Sequence, residues 1–302
     1  MLKKSVAGLV AVGAAYLLFW PVPIDPISWH APANAGYVGS FAPNDGLTNV
    51  RRVELGQFTG PEDAAIGPDG AVFIATHEGA IIRYDPDASK IAKFAETGGR
   101  PLGVEFDGSG TLYVADAFLG LLKISADGDV SLLANETKSG SPIQYADDVD
   151  IAPDGTVYFT DASTRFGAKQ FGGTLPASVL DLMEHSSSGR VLKYNPSVGD
   201  TTVVLEGLSF ANGLAMTSSG NHYLVVETGT YSIKKVAVDG SVEPETIVEN
   251  LPGFPDNINR NADGTFWVGI VSPRSDLADA ISGSSASCLA VEISLRPNMS
   301  LT

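Results

Sequence analysis

Pro153-Asp154-Gly155-Thr156-Val157-Tyr158-Phe159-Thr160-Asp161 is a turn phrase followed by a β-rich run that closes on an acidic residue. An Asp-Gly pair places glycine where a tight turn needs positive φ, and the alternating Val-Tyr-Phe-Thr run suits a strand. The phrase recurs. Pro68-Asp69-Gly70 leads into Ala71–Thr76, and Gly108-Ser109-Gly110 into Thr111–Asp116. Ser219-Gly220 precedes Asn221–Glu227, and Asp263-Gly264 precedes Thr265–Gly269. The closing residues Thr76, Asp116, Asp161, Glu227 and Gly269 are spaced by 40, 45, 66 and 42 positions. A second strand follows each of the first four: Ala80–Tyr84, Gly120–Ile124, Gly189–Tyr194 and Ser232–Val236.

A period of about 40–45 residues built from short strands is the pattern of a β-propeller, in which each small sheet buries its faces against its neighbours. No 10–15-residue amphipathic helix is visible between the strands, so a βαβ fold is not expected. The absence of a Trp-Asp repeat excludes a WD40 array. The expected fold is all-β: a six-bladed-type propeller with five visible blades. Val50–Gly60 reads as an extra strand able to complete the last blade. The 66-residue interval holds an insertion over residues 165–188.

Composition agrees. Of 302 residues, 44% are hydrophobic and 18% charged, which supports a large core and excludes disorder. Thirty-three glycines and 18 prolines suit many turns. The net charge of −16 argues against a duplex-binding surface, which needs clustered Lys and Arg, so no nucleic acid partner is expected, and divalent cations or neutral small molecules are. One cysteine, Cys288, excludes an intrachain disulfide and a Cys-rich metal site.

Lys3 and Lys4 precede an apolar run from Ser5 through Trp20. Residues 1–24 are expected to be an uncleaved signal anchor, with a removed signal peptide as the alternative. By the positive-inside tendency the acidic bulk then faces the non-cytoplasmic side, membrane-anchored or else secreted. Residues 25–48, rich in proline, read as a linker, and residues 49–302 as the propeller domain.

Turns entering the innermost strands of a propeller converge on its central channel. At that phase the chain reads Gly60-Pro-Glu62-Asp63, Tyr145-Ala-Asp147-Asp148, Phe210-Ala-Asn212-Gly213 and Phe254-Pro-Asp256-Asn257, each about 12–15 residues before its closing residue. Asp and Asn in a single block commonly only shape a turn. Four blocks in phase instead present Glu62, Asp147, Asn212, Asp256 and Asn257 around one axis. Carboxylate and amide oxygens in that number are what Ca²⁺ requires.

Phe-Ala-Asn212-Gly-Leu, Val226-Glu-Thr228, Glu249-Asn-Leu-Pro-Gly-Phe-Pro-Asp-Asn257, Phe266-Trp-Val-Gly269, Leu182-Met-Glu-His and Ser188-Gly-Arg-Val-Leu192 carry a resemblance. The chain resembles the calcium-dependent six-bladed propellers that include paraoxonases, gluconolactonase/senescence-marker proteins and strictosidine synthase-like proteins. It is most similar to the subgroup of the adipocyte plasma membrane-associated protein, over about residues 20–283. The resemblance implies a catalytic calcium held by Glu62, Asp147, Asn212, Asp256 and Asn257, and a structural one using Asp63 and Asp148. The family usually carries Asn at the position of Asp147, so three carboxylates here imply tighter metal binding and a weaker Lewis acid. The histidine that paraoxonases place beside the metal corresponds to Leu102, which cannot relay a proton.

The expected chemistry is Ca²⁺-assisted hydrolysis of a lactone or aryl ester, with Asp256 or Asp148 as general base. A non-catalytic, membrane-anchored binding propeller and a strictosidine-synthase-like bond-forming enzyme stay open beside it. There is no Gly-x-Ser-x-Gly elbow, His-Glu-x-x-His helix or Walker loop. His30, His185 and His222 read as surface residues, leaving His77 as the one channel candidate. A sixth blade needs about 50–70 residues beyond Gly269. Only 33 follow, and from Ser284 they carry no blade phrasing, so residues 284–302 read as an off-pattern tail of a truncated ring with exposed sheet edges.

Overall fold

The computed structural model describes residues 22–285 and Gly8. Most of the expected anchor (1–24) and of the off-pattern tail (284–302) lies outside them. Among the described residues no helix is long and apolar enough to cross a membrane.

Each turn phrase forms the hairpin expected of it. Gly70, Gly110, Gly155, Gly220 and Gly264 all adopt positive φ, between 69° and 88°. The aspartate of the turn binds the backbone beyond it: Asp69 Oδ1 accepts from Ala71 N, Asp154 Oδ1 from Thr156 N, and Asp263 Oδ1 from Thr265 N.

Among the described residues these form four antiparallel four-stranded sheets and one two-stranded sheet, all meandering in chain order. The first comprises β1 (Ala64–Ile66), β2 (Val72–Ala75), β3 (Ala80–Asp85) and β4 (Lys90–Glu96). The second comprises β5 (Pro101–Phe106), β6 (Leu112–Asp116), β7 (Gly120–Ile124) and β8 (Val130–Ala134). The third comprises β9 (Ala146–Ile151), β10 (Val157–Asp161), β11 (Gly189–Asn195) and β12 (Asp200–Leu208). The fourth comprises β13 (Ala211–Met216), β14 (His222–Glu227), β15 (Ser232–Ala237) and β16 (Glu245–Val248). The fifth pairs β17 (Gly253–Arg260) with β18 (Phe266–Pro273).

The core lies between successive sheets. Phe73 and Ile81 of the first pack with Val104, Leu112 and Val114 of the second. Ala115 and Leu121 meet Ala146, Val149 and Phe159 of the third. Tyr158 and Val191 meet Leu214 and Tyr223 of the fourth, and Leu224 and Val226 meet Ile258 and Val268 of the fifth. The first strands β1, β5, β9, β13 and β17 pack side by side in that order, so the sheets radiate from a common axis as propeller blades do. The fifth sheet reaches back to the first: Asn259 Nδ2 donates to Asp63 Oδ1 at 3.0 Å and Asn257 Nδ2 to the Glu62 carbonyl at 3.2 Å.

Three expectations are corrected. Val50–Gly60 forms no strand among the described residues. The insertion holds a helix, α1 (Thr174–Glu184), although no helix between strands was expected. Its Ala177, Leu180, Asp181 and Glu184 are buried at the i, i+3, i+4, i+7 spacing of one face. The first part of the segment expected as a linker, as far as Ala33, is strapped onto the fold. Asp25 N donates to Glu184 Oε2 at 2.7 Å, and Ile27 N to the Glu184 carbonyl at 2.7 Å. Trp29 N donates to the Ser282 carbonyl in a second short helix, α2 (Asp276–Ser282). On β18, Trp267 and Val271 are exposed, as is Ile66 on β1.

Candidate functional site

The inner strands share one irregularity. Ala146 pairs with Asp161 and Val149 with Phe159, so Asp147 and Asp148 together oppose Thr160 alone. Asn212 and Gly213 likewise oppose one residue of β14, Asp256 and Asn257 one of β18, and Leu102 and Gly103 one of β6. A bulge with two residues against one re-aims the side chains it carries. Here the first residue of each pair (Leu102, Asp147, Asn212, Asp256) turns into a common cavity. The second sits against the adjoining inner strand. A Cβ on Gly103 would lie 2.6 Å from Asp148 Cα, and one on Gly213 2.6 Å from the Asp256 carbonyl oxygen. Glycine is therefore needed at both positions.

The acidic closing residues of the repeat explain how the bulges are held. Asp116 Oδ1 accepts from Arg100 N at 2.9 Å, Asp161 Oδ1 from Tyr145 N at 2.8 Å, and Glu227 Oε1 from Ser209 N at 2.9 Å. Each carboxylate thus clamps the backbone two or three residues before a cavity residue. Asp161 is itself fixed by Arg190, whose Nε donates at 2.9 Å, and both side chains are buried.

Glu62, Asp147, Asn212 and Asp256 all line one cavity of about 510 Å³, as expected from their shared phase. Its upper walls are apolar: Leu102, Tyr145, Phe210 and Phe254 from the sheets, and Leu175, Val179 and Leu182 from α1. The Tyr145 hydroxyl donates to the Thr174 carbonyl at 3.0 Å and tethers α1 over the floor.

The electrostatics of the floor are unfavourable as they stand. Burial, with Asp256 and Asp63 adding repulsion, pushes Glu62 up to about 7, although Arg100 opposes the rise. Burial and then the charges of Glu62 and Asp256 push Asp147 well above the carboxylate range. Burial also raises Asp256, against the Asn212 amide, whose Nδ2 donates to Asp256 Oδ1 at 2.7 Å. Two amide oxygens, Asn212 Oδ1 and Asn257 Oδ1, are buried without a hydrogen-bond partner. Asn257 does not line the cavity; it stands behind Glu62. Three mutually repelling carboxylates beside two orphaned amide oxygens form a donor set that fits a hard divalent cation. Among the described residues no three or more His, Cys, Asp and Glu side chains alone group tightly enough to hold a metal, so any such site depends on the amides.

Asp63 and Asp148 serve a different purpose. Asp63 Oδ2 accepts from Val104 N at 3.0 Å and its Oδ1 from Asn259. Asp148 accepts from Val149 N at 2.8 Å and Leu214 N at 2.7 Å. Both stitch one inner strand to another, and neither lines the cavity. The surroundings of Asp148 therefore give no support to the expected base role. His77 is exposed and away from the cavity. His185, expected at the surface, is buried: it stacks on Trp29 with ring centroids 4.2 Å apart, and desolvation depresses it to about 4.

Sequence reasoning missed Arg100, the bulges and the α1 wall. Arg100 is buried, with Nη2 3.4 Å from Glu62 Oε2 and an Nε that has no partner. The paired words Leu102-Gly103 and Asn212-Gly213, in phase with Asp147-Asp148, were the available signal for the bulges. Leu175, Val179 and Leu182 at i, i+4, i+7 were the signal for α1.

The fold is similar to that of a gluconolactonase from Xanthomonas campestris, with a TM-score of 0.59 at 18% identity over 82% of this chain and 80% of that one. It is also similar to regucalcin from Agrobacterium tumefaciens, with a TM-score of 0.56 at 16% identity, covering 72% and 70%. Residues 147–241 match the strictosidine synthase family model, and residues 39–84 the strictosidine synthase-like N-terminal model. The strictosidine synthase-like 10 protein of Arabidopsis thaliana is 34% identical over 264 residues, 78% of this chain and 69% of the relative. The adipocyte plasma membrane-associated protein of Salmo salar is 34% identical over 256 residues, and the chain spans 59% of its length. On this evidence the chain belongs to the strictosidine synthase-like family.

Proposed function

We propose that the chain is a divalent-cation-dependent hydrolase of lactones or aryl esters, with Ca²⁺ as the cation, built on a ring of the six-bladed type. The observation that carries this reading is the cavity floor, where Glu62, Asp147 and Asp256 meet the orphaned amide oxygen of Asn212, with a second orphaned oxygen on Asn257, whose Nδ2 donates to the Glu62 carbonyl. Glu62, Asp147, Asn212, Asp256 and Asn257 would hold the cation. When bound, it supplies positive charge that polarises a substrate carbonyl and stabilises developing oxyanion charge. The chain's own residues do the rest. Leu102, Phe210, Phe254 and the α1 side chains exclude water and orient an apolar substrate above the floor. Of the two base candidates, Asp256 lines the cavity and takes the proton from water, whereas both oxygens of Asp148 are committed to backbone N–H groups outside it.

The calcium-binding description of regucalcin and the lactonase description of the Xanthomonas protein support this assignment. Family membership favours one second reading, a strictosidine-synthase-like condensation in the same cavity. In the same proposal, an N-terminal anchor over residues 1–24 places the domain on the non-cytoplasmic side of a membrane. Turnover of a lactone and aryl-ester panel by metal-stripped and Ca²⁺-loaded protein tests the hydrolase. Hydrolysis should require the cation and disappear in Asp256→Ala; hydrolysis that survives the substitution rejects the mechanism.

A further inference from the structure

A second cavity, of about 280 Å³, lies beside the first. It is enclosed by the strap (Ile27, Trp29), by α1 and by α2. Val179, Leu182 and Phe254 line both cavities, so three side chains separate this space from the carboxylate floor. The polar groups that line it are already engaged. Asp279 Oδ1 accepts from the Tyr231 hydroxyl at 2.9 Å and Oδ2 from Arg274 Nε at 2.9 Å. Ser275 Oγ accepts from Ala278 N, and Ser282 Oγ donates to the Asp279 carbonyl at 2.7 Å. The Arg274 guanidinium lies 4.1 Å over the Tyr231 ring. A cavity whose polar lining is spoken for offers a ligand apolar contact only. Its chemistry is thus complementary to that of the floor, where polar atoms lack partners.

We infer that this side cavity is a subsite for an apolar chain or aryl group of the substrate, entered past Leu182 and Phe254 while the substrate's carbonyl stays at the carboxylate floor. The inference rests on the hydrolase reading for the identity of the carbonyl compound, but not for the apolar occupancy itself. A dry cavity of about 150 Å³ admits benzene, so this one has room for roughly ten carbons. The substrate class is then an ester or lactone bearing a medium-length hydrophobic arm. The walls come from the strap, α1 and α2, with Tyr231 and Phe254 from the sheets, and the strap is hydrogen-bonded to both helices.

The test compares 4-nitrophenyl acetate with 4-nitrophenyl octanoate on the Ca²⁺-loaded full chain and on Ala278→Phe, which fills the cavity from α2. Each methylene buried in the subsite is worth about fourfold in kcat/KM, so octanoate should exceed acetate by tenfold or more. Ala278→Phe should lower that octanoate-to-acetate ratio by about tenfold, chiefly through KM. Binding of the neutral apolar fluorophore N-phenyl-1-naphthylamine is measured in parallel, with Met183→Trp as a second filling variant should Ala278→Phe not fold. If esters are turned over and the ratio is unmoved by filling, the subsite is rejected while the hydrolase reading stands. If no ester is turned over, the hydrolase reading fails. The subsite then survives only if the fluorophore binds and filling weakens its binding tenfold or more.

Discussion

Replacing Asp147 by Asn isolates the electrostatic account of the floor, because the change removes one charge and little volume. Asp147 is buried beside Glu62 and Asp256, and these three influences raise its proton affinity. Two unit charges about 4 Å apart repel by about 1 kcal/mol in water and about 4 kcal/mol at the effective dielectric of a protein surface. Relief of two such repulsions, less the imperfect hydrogen bonding of a new amide, should stabilise the cation-free protein by about 1–3 kcal/mol at a pH high enough to ionise the floor carboxylates. For a domain of this size that is a rise of roughly 2–10 °C in Tm. The same charge assists cation binding, so Asp147→Asn should weaken Ca²⁺ affinity tenfold or more. At a calcium level 100 times the parent's Kd, the parent gains about 2.7 kcal/mol and the variant only about 1.4. Thermal melts of both proteins, each with chelator and with calcium, give all four numbers. The reasoning is refuted if the variant is less stable than the parent in chelator, or if calcium stabilises the two equally.

Other outcomes follow from the same geometry. Glu62 is held near 7 when folded against an ordinary value of 4.5, so the folded state binds its proton more tightly than the unfolded chain does. The cation-free protein should therefore lose about 3 kcal/mol as pH rises from 4.5 through 7, and saturating calcium should flatten that slope in a pH series of urea melts. Gly103→Ala would drive a methyl into the β9 backbone, costing about 1–3 kcal/mol in urea denaturation and lowering calcium affinity, since Asp147 must shift. Asp161→Ala strands the buried Arg190 and should cost about 3–5 kcal/mol, whereas the double change Asp161→Ala with Arg190→Met should recover much of it. Asp148→Asn should reduce stability while leaving the pH profile of hydrolysis unshifted; a shifted profile would return Asp148 to the chemistry.

The blade pattern was legible in the sequence because it is local. An Asp-Gly turn, an alternating strand and a buried closing carboxylate recur within a dozen residues, and Asp116, Asp161 and Glu227 each bind backbone of their own sheet. The convergence of Glu62, Asp147, Asn212 and Asp256 was legible for the same reason, as residues in equal phase of equal repeats. What separates Asp147 from Asp148 was not. Adjacent carboxylates look equivalent in a sequence, and only the bulge opposite Thr160 turns one into the cavity and the other onto Leu214 N. His185 and Trp29 lie 156 positions apart, and no local rule pairs them. Arg100 was hidden by its position before a proline in a block with no acidic partner, although Glu62 is its neighbour in space.

The account turns on whether the cavity floor binds a cation, and diffraction from crystals grown with Ca²⁺ and soaked with Tb³⁺ tests it directly through anomalous scattering. The account predicts a strong peak bounded by Glu62, Asp147, Asn212 and Asp256, with the two orphaned amide oxygens turned toward it. A peak elsewhere, or a floor in which Asn212 still donates to Asp256 and no ion appears at millimolar concentration, would contradict it.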